Sequence, residues 1–112
     1  VTPEQLYERQ WALTLLDQVL ARLQAEYTQA GKSGLFASLK SCLAGTREAQ
    51  PYADLASTLE MTEGAVRVAV HRLRQRYREI LRDQIAQTVA SPEEIEPEIR
   101  HLMRVLARRV SK

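Results

Sequence analysis

The sequence predicts an all-α fold: a small helical domain with a helix-turn-helix, a long second helix in that pair and a C-terminal helical extension. Three observations predict it. Leu, Ala, Arg, Gln and Glu dominate, all good helix formers apart from their context, and only four Gly and four Pro interrupt them. Apolar residues recur at helical spacing along most of the chain, and no run alternates with the period of a strand. Capping signatures stand in front of the periodic segments.

Thr2-Pro3-Glu4-Gln5 reads as a capping box, with the hydroxyl at the N-cap, Pro in the first turn and Gln reaching back. Behind it Leu6, Leu13, Leu16, Leu20, Leu23 and Tyr27 form the expected inward stripe, and Gly31 is the stop. A second helix is expected from Ser33 to Ala44, with Leu35, Phe36, Leu39 and Leu43 inward and Gly45 closing it. Thr46 to Gln50 reads as a polar connector. Pro51 opens a third helix whose buried side is Leu55, Ala56 and Leu59. Thr62 is placed to cap a fourth, with Val66, Val70 or Ala69, Leu73, Tyr77 and Leu81 inward and the pattern continuing through Ile85 to Val89. Ser91-Pro92-Glu93-Glu94 reads as another capping box. The segment behind it carries Ile99, Leu102, Met103 and Leu106, and Pro97 predicts a break near Glu96 with a fresh start. The expected organisation is a helical hairpin over 1–45, a helix-turn-helix unit over 46–90 and an extension over 91–112, in one compact domain.

At 112 residues, 45% apolar and 27% charged, the chain has the balance of a soluble globular domain rather than a disordered one. The single Cys42 excludes an intramolecular disulfide and a cysteine-based zinc site, and suits a reducing cytoplasm. No apolar run has the length of a membrane span and no signal peptide is visible. The net charge of +2 is unevenly spread. From Thr62 to Arg82 six arginines face Glu63 and Glu79, a surplus of +4 that leaves −2 for the rest of the chain. Such concentration suits a phosphate-facing surface, while the plainer reading is a solvated face laced with ion pairs.

The local pattern around residues 51–74 meets the requirements of a DNA-reading helix-turn-helix. Ala56 supplies the small residue where the helices cross, and Met61 the apolar residue tucked under the turn. Val66 and Leu73 supply the inward contacts of the second helix. Gly64 and Ala65, near its N-terminus, let the backbone come close to DNA.

The run Tyr52-Ala53-Asp54-Leu55-Ala56, then Leu59-Glu60-Met61-Thr62-Glu63-Gly64-Ala65-Val66-Arg67-Val68-Ala69-Val70-His71-Arg72-Leu73-Arg74, resembles region four of the extracytoplasmic-function sigma factors of bacterial RNA polymerase. The marks of that family are Glu-Gly-Ala-Val-Arg and the His-Arg-x-Arg that follows it. The resemblance covers Tyr52 to Leu81, about a quarter of the chain. Two features depart from the family pattern. Glu60 stands where the turn usually carries Gly, and must then tolerate a left-handed or strained conformation. The segment before Pro51 is longer than the usual lead-in and lacks its Leu-Pro signature.

The resemblance implies promoter recognition during transcription initiation, in the cytoplasm, as the C-terminal domain alone. The implied partners are double-stranded promoter DNA, the flap of the polymerase core β subunit and an anti-sigma factor, with no membrane. Arg67 matches a base-reading position, Val68 a base-contacting position suited to a methyl group, and Arg72 a contact to base or phosphate. Arginine is also the best bidentate reader of guanine and a strong phosphate ligand. Arg74, Arg76 and Arg78 are expected to steer or clamp phosphates, and Gln75 is counted among the DNA-binding residues. Thr62 and Glu63 lie at the helix N-terminus, where backbone amides meet phosphate, and Glu63 serves as a dipole partner or cytosine acceptor. His71 reads as a phosphate contact or as a surface or packing residue.

No constellation for catalysis is legible. Asp54 and Glu48 lack a neighbouring nucleophile, histidine or Gly-rich loop, and His71 and His101 are far apart. No enzyme activity, cofactor or metal is expected. Trp11 and Tyr7 read as packing or partner-interface residues. Glu93, Glu94, Glu96 and Glu98 followed by Arg100, Arg104, Arg108 and Arg109 read either as helix-dipole matching or as a regulatory extension. Two alternatives remain: another helix-turn-helix transcription regulator, or a protein-interaction module that binds an anti-sigma partner or self-associates through Leu13, Leu16, Leu20 and Leu23 and the C-terminal extension.

Overall fold

The computed structural model describes residues 2–43 and 51–110, with side chains described as far as residue 107. The described residues form five α-helices and no strand, as the periodicity predicts: α1 Pro3–Gln29, α2 Ser33–Leu39, α3 Tyr52–Leu59, α4 Glu63–Ala86 and α5 Ile95–Val110. Short 3₁₀ turns occupy Lys40–Leu43 and Pro92–Glu94. No helix among the described residues is long and apolar enough to cross a membrane.

Local signals set several helix ends. The Thr2 N–H donates to Gln5 Oε1 and the Gln5 N–H to Thr2 Oγ1, each at 3.1 Å, which is the reciprocal box expected at the start of α1. Gly31 ends α1 with φ of 75°, the Lys32 N–H donating to the Tyr27 carbonyl and the Gly31 N–H to that of Thr28. This is a Schellman motif, and its left-handed residue is a glycine because no Cβ has to be accommodated. The second helix is shorter than expected, because the chain tightens into a 3₁₀ turn at Lys40. The expected stop at Gly45 and the connector Thr46 to Gln50 lie outside the described residues.

The chain divides into two compact units. The division falls inside α1 and α4. One unit comprises Val1–Ala21 with Glu79–Lys112. Its core is Ala12, Leu15 and Val19 of α1, Ile80, Leu81 and Ile85 of α4, and Leu102 and Val105 of α5. Its polar contacts join the same helices. His101 Nε2 lies 3.1 Å from Glu8 Oε2, and the His101 ring stacks on Trp11 with centroids 5.6 Å apart. Arg82 pairs with Glu96, and Gln84 Nε2 donates to Gln18 Oε1. Tyr7 remains 78% exposed.

Four expectations fail in this unit. The inward row of α1 is Ala12, Leu15 and Val19, whereas Leu6 is exposed and Leu13, Leu16 and Leu20 are half-buried. The hydroxyl of Ser91 turns to Glu94 Oε2 at 3.2 Å instead of capping a backbone amide, so the second capping box does not form. No break separates Glu96 from Pro97. The helix begins at Ile95, so Pro97 falls in its first turn, where the missing N–H has no intrahelical acceptor to lose. Met103, expected inward, is 47% exposed.

The other unit, Arg22–Arg78, buries Leu23 of α1, Phe36 and Leu39 of α2, Cys42, Leu55 and Ala56 of α3, and Val66, Val70 and Leu73 of α4. Here α2 packs against α3. The Tyr27 ring tilts against Phe36 with centroids 5.7 Å apart. No buried side-chain nitrogen or oxygen among the described residues lacks a hydrogen-bond partner.

Candidate nucleic-acid interface

The α3–turn–α4 segment lies in the second unit as far as Arg78. Glu60 closes α3 at φ 56° and ψ 46°, the left-handed conformation that its place in the turn demands. The Met61 N–H donates to the Ala56 carbonyl at 2.9 Å, so Ala56 anchors the turn through its backbone while its side chain is buried. Thr62 then starts α4: its Oγ1 accepts from the Ala65 N–H at 3.0 Å. Glu63 occupies the first turn of α4, where its charge suits the helix dipole.

At 3.6 residues per turn, Arg67, Val68, His71, Arg72 and Gln75 spread over an arc of roughly 140°. All five are exposed. Val66, Val70 and Leu73 lie on the opposite side of the helix and are buried. This geometry leaves one continuous solvent-facing row in which Val68 stands out, an aliphatic side chain 49% exposed between arginines. The guanidinium carbon of Arg67 sits over the Tyr52 ring, 5.9 Å from its centroid. Burial raises the Tyr27 phenol above its ordinary pKa, with Glu26 adding to the effect and nearby Arg72 opposing it.

Arg74 and Arg76, expected to steer or clamp phosphates, each make hydrogen bonds within the protein. They lie at the two edges of the buried stripe and turn inward. Arg74 Nε and Nη2 donate to the Cys42 carbonyl at 3.1 and 3.0 Å. Arg76 Nε and Nη2 donate to the two Glu26 oxygens at 2.8 and 2.7 Å. The Arg76 guanidinium holds the Glu26 carboxyl below its ordinary pKa, against the opposing effect of burial. Arg82 is paired with Glu96, while Arg78 is exposed. The positive surplus of α4 is therefore partly offset by Glu26 of α1 and Glu96 of α5. The charge of Arg74, held by a neutral carbonyl, is not cancelled and remains with those of Arg67, Arg72 and Arg78.

The sequence pattern does not single out Tyr52. No helical spacing rule relates positions 52 and 67, and their approach depends on the intervening turn. Among the described residues, no group of three or more His, Cys, Asp or Glu side chains could hold a metal ion. Comparison with protein-family models, with curated proteins and with solved structures gives no match to this chain.

Proposed function

We propose that this chain is a double-stranded DNA-binding module that recognises promoter DNA in the manner of region four of an extracytoplasmic-function sigma factor. The exposed row Arg67, Val68, His71, Arg72 and Gln75, carried on a rigid helix behind a tight turn, is the observation that carries the reading. In this reading α4 lies in the major groove. Arg67 and Arg72 present in-plane N–H donors to base edges, and Val68 offers an apolar contact for a thymine methyl. Arg78 and His71 lie nearer the sugar-phosphate backbone, and Thr62 and Glu63 set the helix N-terminus against it. Arg74 and Arg76 shape the domain and do not touch DNA.

The function is binding, not chemistry, and needs no cofactor. It operates in the cytoplasm, alongside polymerase core contacted through the β flap, and an anti-sigma factor is the natural antagonist. A second reading, protein interaction, draws support from Leu6 and Tyr7, exposed by 56% and 78% at the start of α1.

Fluorescence anisotropy with duplex DNA at 50 and 200 mM salt tests the primary reading. Three phosphate contacts predict a loss of affinity of about 40-fold between those concentrations. An absence of saturable, salt-sensitive binding to any duplex rejects it and leaves the interaction reading.

A further inference from the structure

We infer that Tyr52 is a positioning residue for Arg67 and sets how sharply that arginine discriminates base pairs; the inference rests on the DNA-binding reading above. Tyr52 is the first residue of α3 and is half-buried, so its ring has a fixed seat. Arg67 is exposed on α4 with its guanidinium carbon over that ring. An unsupported arginine at this position samples many rotamers, and all but a few must be given up to place a bidentate fork on one base pair.

The ring restrains the guanidinium through its face. The N–H donors lie in the guanidinium plane, so a cation–π contact leaves them available for hydrogen bonds. Arg74 and Arg76 show the contrast. They are held by Cys42 and Glu26 through those same N–H groups. Arg67 is ordered without spending its donors. Such ordering favours the base pair whose acceptors match the fork and gives little to a pair that cannot accept it. Its effect is therefore on discrimination more than on general affinity.

The test uses the full chain and a duplex selected from a random-sequence pool, then altered one base pair at a time. Anisotropy is measured for the parent, Arg67→Ala, Tyr52→Leu and Tyr52→Phe. Arg67→Ala identifies the pair it reads by flattening the preference there. Tyr52→Leu is expected to reduce discrimination at that same pair by about two- to fivefold. Its affinity for the duplex altered at that pair stays near the parent value. Tyr52→Phe keeps the ring and keeps the discrimination. Adding Tyr52→Leu to Arg67→Ala changes nothing further. In the DNA-free protein, the ring-current shift of the Arg67 δ-protons disappears in Tyr52→Leu and survives in Tyr52→Phe.

Unchanged discrimination in Tyr52→Leu, with Arg67→Ala still flattening the preference, overturns the positioning role and leaves the DNA-binding reading standing. Equal losses on every duplex from Tyr52→Leu and Tyr52→Phe also overturn it, and make the phenol hydroxyl a phosphate ligand. A uniform effect of Arg67→Ala on all duplexes removes base reading itself, and the role of Tyr52 with it.

Discussion

Arg76 and Glu26 form a two-pronged pair that ties α4 to the end of α1, with both carboxylate oxygens accepting from one guanidinium. The pair joins positions fifty residues apart in the chain, so it contributes to the fold of the Arg22–Arg78 unit rather than to one helix. Both side chains are more than a third exposed, at 42% and 38%, so water screens the attraction, and its worth is about 0.5–1 kcal/mol. Folding depresses the Glu26 pKa, chiefly through the Arg76 hydrogen bonds. Its stabilisation is therefore present above the unfolded carboxyl value, near 4.5, and is lost as pH falls through the folded value. Thermal melts of Glu26→Gln should lie a few degrees below the parent at pH 7. The gap should narrow progressively below about pH 4.5. A gap independent of pH would mean that packing, not charge, is what the substitution removes.

The same pair changes what arginine substitutions on α4 should do to DNA binding. A guanidinium already neutralised by a carboxylate displaces few counterions from DNA, so Arg76→Ala should lower stability and leave the salt slope unchanged. Arg78→Ala, at an exposed position, should reduce the slope of log affinity against log salt by about 1 for every sequence alike. Arg67→Ala should cost about 1–3 kcal/mol on the preferred duplex and relax the preference at one base pair. Salt titrations of the three variants separate these behaviours. A slope that falls in Arg76→Ala would return that residue to the interface.

Features written in a few adjacent residues were legible in the sequence. The Thr2–Gln5 box, the stop at Gly31 and the left-handed Glu60 each depend on contacts within six residues. The inward row of α1 was not. Leu6, Leu13 and Leu20 share one edge of the helix, and the smaller Ala12 and Val19 lie beside them on the next row. Periodicity assigns the face only to within about one residue, and packing against the neighbouring helices decides between adjacent rows. The fates of the α4 arginines were hidden for a related reason. Arg76 and Arg82 find acids 50 and 14 positions away, and Arg74 finds a backbone carbonyl 32 positions away. Counting the acids within α4 could not reveal any of them.

Glu60 carries backbone strain that a glycine would relieve. Its φ of 56° brings Cβ toward the following carbonyl, and for an L-residue this conformation costs about 1–2 kcal/mol. Glycine gives back part of that gain through its freer unfolded chain. Glu60→Gly should therefore raise stability by about 1 kcal/mol, and Glu60→Val, branched at Cβ, should lower it. Urea unfolding of both variants measures the difference. Equal stability in Glu60→Gly and Glu60→Val would show that the turn relaxes away from the left-handed region.

Leu102 and Met103 are neighbours in α5 with opposite environments, one with no exposed surface and the other 47% exposed. Leu102→Ala removes side-chain volume from a packed core and should cost about 2–5 kcal/mol. Met103→Ala should change stability by less than about 0.5 kcal/mol, because its side chain already meets water. Differential scanning calorimetry of the two variants fixes the register of α5. The reverse order of effects would restore the inward Met103 expected from periodicity.

Gly64 offers a substitution whose effects on folding and on DNA binding should have opposite signs. It lies in the first turn of α4, and an added Cβ would meet only Thr62 Oγ1, at an ordinary contact distance of 3.9 Å. Nothing in the fold resists a methyl group there. Gly64→Ala should stabilise the protein by about 0.5 kcal/mol, because the unfolded chain loses conformational freedom. At a helix N-terminus that approaches the DNA backbone, however, the same methyl group stands between amide donors and phosphate oxygens. Loss of one such hydrogen bond should weaken binding to every duplex by about 1 kcal/mol. A raised melting temperature with reduced affinity places the start of α4 against phosphate. A raised melting temperature with unchanged affinity keeps the helix N-terminus clear of the DNA, and confines the contact to the row from Arg67 onward.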